Sequence, residues 1–145
     1  MRNMKRLLPL LLAILWTASS AGVCLAQDAE ADTAQATLRK GIQQFEAKDY
    51  KAAQATLLTV DREALDDDAV ETLDEHLDKV GPAIRAQAQA QAALDAGAKA
   101  LRDNEYDQAI AQYTQAANSE HLTEAQRSFA REKIELARES KTLAE

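Results

Sequence analysis

Leu94 to Tyr113 reads LDAGAKALRDNEYDQAIAQY, and this stretch decides the fold. Apolar and small residues recur at three- and four-residue spacing on either side of Arg102–Glu105, the pattern of two short helices folded back on each other. Asn104 stands where a left-handed turn residue is wanted, a conformation Asn tolerates better than most. A looser copy, LRKGIQQFEAKDYKAAQATL, runs from Leu38 to Leu57. Aligning Gly41 with Gly97 also aligns Leu38 with Leu94, Phe45 with Leu101, Tyr50 with Tyr106 and Ala53 with Ala109, always 56 residues apart.

Working outward, Ala34, Leu38, Ile42 and Phe45 mark the buried face of a helix that should stop near Lys48-Asp49. A second helix is expected from Tyr50 through Ala53, Leu57 and Val60 to about Arg62. Asp66-Asp67-Asp68 lacks the spaced ligands and glycine of a calcium loop. It fits a helix start, with Asp66 or Asp67 as the cap and its neighbours favoured at the positive end. That helix carries Val70, Leu73, Leu77 and Val80 inward, and Gly81-Pro82 is expected to end it.

Pro82 suits the first turn of the next helix, Ala83 to about Asp103, whose first half, AIRAQAQAQAAL, is rich in Ala and Gln. Tyr106 to Ala117 forms another, with Tyr106, Ala109, Ile110, Tyr113 and Ala116 inward. Thr123-Glu124-Ala125-Gln126 is a capping box opening a last helix to about Thr142, with Phe129, Ile134 and Ala137 as its inner residues. Extending the offset of 56 to the third helices pairs Asp67 with Thr123, Ala69 with Ala125 and Leu73 with Phe129. The unit is then three helices, 33–88 and 89–144, and the fold is all-α with about six helices.

The N-terminus is different in kind. Arg2, Lys5 and Arg6 precede an apolar run from Leu7 to Trp16, and small residues follow to Cys24-Leu25-Ala26, the layout of a secretory signal peptide over 1–26. Cleavage is expected after Ala26, with Ala21 as the second candidate. The alternative is an uncleaved anchor helix, since Leu7 to Ala26 is just long enough to span a membrane. A lipoprotein signal wants an aliphatic residue three before the cysteine and a small one just before it. Ala21 and Val23 depart from this, so Cys24 is not read as a lipid acceptor. Residues 27–32 read as a flexible acidic leader, and 33–145 as the helical domain.

Removing 1–26 takes three of the 17 Lys and Arg and none of the 24 Asp and Glu, so the net charge moves from -7 to -10. Such a balance argues against nucleic acid and anionic membrane surfaces, which select clustered Lys and Arg. The only cysteine also leaves, so stability must come from packing.

The hairpins resemble the tetratricopeptide repeat. The matching residues are the small Gly41 and Gly97 and the large apolar Phe45 and Leu101 four positions later. Tyr50 and Tyr106 open the second helices, where Ala53 and Ala109 face back. The family's early aromatic is replaced by Thr37 and Ala93, its late proline by Leu65 and His121, and its period of about 34 residues is exceeded. The resemblance implies a right-handed stack of helical hairpins that binds a protein or peptide partner. Paired DYxxA and EYxxA phrases around an Ala/Gln-rich helix, behind a signal peptide, are also similar to the N-terminal helical segments of some bacterial secretin-type outer-membrane channel proteins. The β-rich region of those proteins is absent here. That similarity implies an envelope-assembly or secretion context.

No residue reads as catalytic, cofactor-binding or metal-ligating. His76 and His121 lack ligands at metal spacing. His76 reads as part of a solvated helix face, and His121 as part of a mobile loop. Ser119, Ser128 and Ser140 lack a nucleophile elbow. Arg39, Gln43, Lys99 and Arg102, on the first helices of the hairpins, are the candidates for contact with a partner. The expected function is a non-enzymatic exported interaction scaffold, periplasmic or elsewhere in the cell envelope, whose mature chain has no membrane span. The alternative is a structural spacer or self-associating N-terminal module of a larger envelope protein.

Overall fold

The computed structural model describes residues 21–144, with side chains from Glu30 onward. Most of the expected signal peptide, residues 1–20, lies outside the described residues. The described chain is all-helical: α1 (Ala21–Glu46), α2 (Tyr50–Leu57), a 3-10 turn (Arg62–Ala64), α3 (Asp67–Arg102), α4 (Tyr106–Ala117) and α5 (Glu124–Ala144). Residues 27–32, read from the sequence as a leader, continue the backbone of α1. None of the described helices is long and apolar enough to cross a membrane.

Two three-helix units share α3. In the first, α1 and α2 form a hairpin, and the N-terminal half of α3 covers it through Leu73 and Val80. In the second, the C-terminal half of α3 forms a hairpin with α4, and α5 covers that through Ala130, Ile134 and Ala137. The buried residues are mainly Ala, with Tyr50, Tyr113, Leu57, Leu73, Leu122 and Val80 the largest fully enclosed side chains.

The two hairpins close by the same device. At the end of α1, Lys48 adopts φ 66°; at the end of the α3 segment, Asn104 adopts φ 61°. In the first turn Asp49 N donates to Gln44 O (2.9 Å) and Lys48 N to Phe45 O (3.0 Å). In the second, Glu105 N donates to Ala100 O (2.9 Å) and Asn104 N to Leu101 O (3.3 Å). Both are Schellman closures, which satisfy carbonyls that a helix end otherwise leaves bare. Asp49 then caps α2 by accepting from Ala52 N, whereas Glu105 makes no side-chain cap.

Glycine sets the closeness of each hairpin. A Cβ at Gly41 would lie 2.5 Å from Leu57 Cδ2, and one at Gly97 would lie 3.0 Å from Tyr113 Cγ. Leu57 and Tyr113 are themselves 56 apart. Ala53 and Ala109, on the facing helices, are fully buried.

Four expectations change. Gly81-Pro82 does not end a helix: α3 passes through it as one helix of 36 residues, so among the described residues five α-helices replace the expected six. The residue before a proline is normally driven out of the helical region by its own Cβ, and Gly81 has none. The carbonyl that loses its donor belongs to Asp78, an exposed residue where water can take the bond. Flanking Val80 and Ala83 are buried in one cluster with Tyr50 and Ala53, which holds both halves of α3 in line.

Next, α2 stops at Leu57 rather than near Arg62. Thr59 Oγ1 donates to Thr56 O (2.7 Å), and Asp61 accepts from Glu63 N (3.0 Å) to start the 3-10 turn. Such side-chain bonds compete with helix continuation.

The third helices are 57 residues apart rather than 56. Their caps are Asp66, accepting from Ala69 N (2.8 Å), and Thr123, accepting from Gln126 N (3.3 Å). Thr123 N donates in return to Gln126 Oε1 (2.9 Å), completing the capping box. Leu73 therefore corresponds in burial to Ala130 and Val80 to Ala137, while Ala125 is exposed. By the same shift Phe129, expected inside, is 46% exposed and meets Tyr113 only edge-on at 6.4 Å.

Leucine at Gly41 or Gly97 should overfill its hairpin and cost about 1–3 kcal/mol in urea unfolding; an unchanged midpoint would refute the close-contact assignment. Pro82→Ala should do the opposite, stabilising by about 1–3 kcal/mol, because it restores the missing donor inside a continuous helix. A lower melting temperature for that variant would mean that the helix breaks at Pro82.

Candidate functional site

The eight repeat positions prove to be packing positions with two environments. Gly41 and Gly97 lie in the hairpin contacts, Ala53 and Ala109 beneath them, and Phe45 and Leu101 are both half-buried. Tyr50 and Tyr106 diverge. Tyr106, expected inside, is half-buried, and its hydroxyl donates to Asn104 Oδ1 at 2.9 Å, bracing its own turn. Tyr50 is 2% exposed, and its hydroxyl bonds His121 Nδ1 at 3.3 Å instead of reaching water.

That bond belongs to a joint between the units. Gln87, midway along α3, donates from Nε2 to Lys48 O (2.7 Å) in the first hairpin turn and to His121 O (3.4 Å) in the loop before α5. Lys48 is itself the residue in the left-handed region, so Gln87 fixes the turn where its conformation is least favourable. Around the joint, the Phe45 ring meets Tyr50 at 5.0 Å and His76 at 5.6 Å, and Tyr50 meets His121 at 5.8 Å, all edge-to-face. His76 and His121 are thus half-buried in one aromatic cluster, neither on a solvated face nor on a loose loop. His76 Nδ1 faces Thr72 O at 2.8 Å, so this nitrogen carries a proton and Nε2 is left as the other ring atom.

Ser119 Oγ accepts from His121 N (3.3 Å), and Glu120, at 3.7 Å from His121 Nε2, is 85% exposed on its side chain. Among the described residues, no three His, Cys, Asp or Glu side chains gather as a metal set. The arrangement is that of a clasp. Its members were poorly marked in sequence: Gln87 and Gln91, which share a helix face, alternate with Ala and Gln89 in the same Ala/Gln-rich stretch. Gln91 also joins the second unit, accepting from Gln126 Nε2 at 3.3 Å.

The four polar candidates on the first helices are all exposed. Lys99 is held by Asp103 at 2.7 Å, and the hydrogen bond raises the Lys99 pKa while lowering that of Asp103. The side chains of Arg39, Gln43 and Arg102 make no hydrogen bond or ion pair within the described chain. Elsewhere Arg62 binds Asp74 through both guanidinium nitrogens (2.6 and 2.7 Å) and holds its carboxyl below the ordinary range, chiefly by that hydrogen bond. Such exposed pairs contribute little to stability.

No known protein family, characterised protein or solved structure matches this chain.

Tyr50→Phe, which keeps the ring and deletes the hydroxyl, should cost about 0.5–1.5 kcal/mol, and Gln87→Ala at least as much because two carbonyls lose a donor. A double-mutant cycle should show coupling between them. Strict additivity would mean that Tyr50 and Gln87 do not act in one joint.

Proposed function

We propose that this is a non-catalytic, exported interaction scaffold, a tetratricopeptide-like stack whose first helices present polar side chains to a protein or peptide partner. The observation that carries the reading is the doubled hairpin, with the same Schellman closure and the same glycine contact in both units. Stacked hairpins of this kind hold a surface rigid, so a partner meets side chains already in place. Arg39, Gln43 and Arg102 suit that role because their exposed side chains make no hydrogen bond or ion pair within the described chain. Export, to the periplasm or elsewhere in the cell envelope, is supported by the basic and apolar N-terminal sequence. The acidic balance supports a protein rather than a nucleic-acid partner.

The test is site-specific photo-cross-linking in intact cells from Gln43, followed by mass spectrometry of the adduct. Arg39→Glu and Arg102→Glu should each reduce that adduct severalfold while far-UV circular dichroism stays unchanged. An adduct insensitive to both changes, or none at all, would favour a structural spacer and remove the first helices from the role.

A further inference from the structure

On α5, most charges are used internally. Glu124 pairs with Arg127 (2.6 Å) and Arg131 (2.8 Å), Glu135 with Arg138 (2.6 Å), and Lys141 with Asp107 of α4 (2.7 Å). Glu132 and Glu139 are exposed, and their side chains make no ion pair or hydrogen bond among the described residues. They stand seven residues apart, beside a row with the same spacing: Phe129, Leu136 and Leu143, which are 46%, 42% and 88% exposed. Helical periodicity puts the two carboxylates along one edge of the row. Lys133, at the other edge, lies over the Phe129 ring at 5.2 Å. The face of α5 that packs on α4 is a different one, made by Ala130, Ile134 and Ala137.

We infer that the row is a docking surface for an amphipathic helix of another protein, one with an apolar stripe and Lys or Arg along the edge that meets Glu132 and Glu139. A seven-residue apolar repeat drifts about 20° per turn of the pattern, so the two helices would wind gently left-handed to stay in contact. Charge decides the occupant. A second copy of α5 laid antiparallel about Leu136 brings Glu132 beside Glu139 of that copy, and a parallel two-fold copy turns its opposite edge toward the carboxylates, where Lys133 faces Glu132 but Glu139 meets only Ser140. Like charge opposes the antiparallel pairing and the parallel one leaves Glu139 without a cation, while a basic edge satisfies both positions. The surface is on α5 rather than on the first helices of the hairpins, so it does not rest on the Arg39 and Arg102 reading, and the two can fail separately.

The test titrates the full chain, by fluorescence anisotropy, against two labelled synthetic helices with the same leucine pattern, one carrying Lys along one edge and one carrying Glu there. The Lys peptide should bind roughly tenfold or more tightly than the Glu peptide, with the difference shrinking at high salt. Leu136→Glu should abolish binding. The exposed double change Glu132→Lys with Glu139→Lys should reverse the preference toward the Glu peptide, with circular dichroism unchanged in both variants. Equal binding of the two peptides, no binding of either, or a preference that survives the charge swap would overturn the inference. A concentration-dependent dimer in sedimentation that Leu136→Glu dissolves would also overturn it, by giving the row to a second copy.

Discussion

Everything in this molecule depends on α3 staying in one piece. It is at once the cover of the first hairpin and the first helix of the second, so its continuity across Gly81-Pro82 sets the spacing of the two units. A break there would leave each half a three-helix module with a small, Ala-rich core, and modules of that size bury too little to be robust alone. The helix survives because three small effects act at one place. Gly81 removes the clash before the proline, the lost bond falls at an exposed residue, and Val80 and Ala83 are buried on either side.

The clasp works on the same joint from outside. Gln87 reaches both the first hairpin turn and the loop before α5, and Tyr50 reaches that loop through His121. The clasp also shows how two related sequences diverge in use. Tyr50 and Tyr106 occupy equivalent positions, yet one ties two units together and the other braces its own turn. The difference lies in what faces each tyrosine: a loop from the following unit in the first case, and Asn104 in the second.

For function, the distribution of satisfied and unsatisfied charge is more informative than its total. The net charge of -7 is a property of solubility and solvation. By contrast, the side chains of Arg39, Arg102, Glu132 and Glu139 form no ion pair or hydrogen bond within the described chain, and they fall on two separate surfaces. Among the described residues, the aromatic side chains are engaged in the hairpins and the joint, apart from Phe129, which lies at the rim of α5.

What the sequence determined by itself was local. The spacing of small and apolar residues located the hairpins, Asn104 marked its turn, Asp66 and Thr123 marked helix starts, and Tyr106 to Ala117 bounded α4. Each depends on backbone preferences within a few residues, which a single sequence carries. Tertiary structure decided the rest. A proline reads as a helix end unless packing on both sides holds the helix together, and that packing comes from α2, some thirty residues away in the chain. The register of α5 shifted by one residue because a helix turns 100° per residue, so a single extra position between α4 and α5 exchanges Phe129 for Ala130 on the inner face. The clasp was invisible for the same reason. Gln87, Tyr50 and His121 are ordinary residues until the fold brings them within reach of one another.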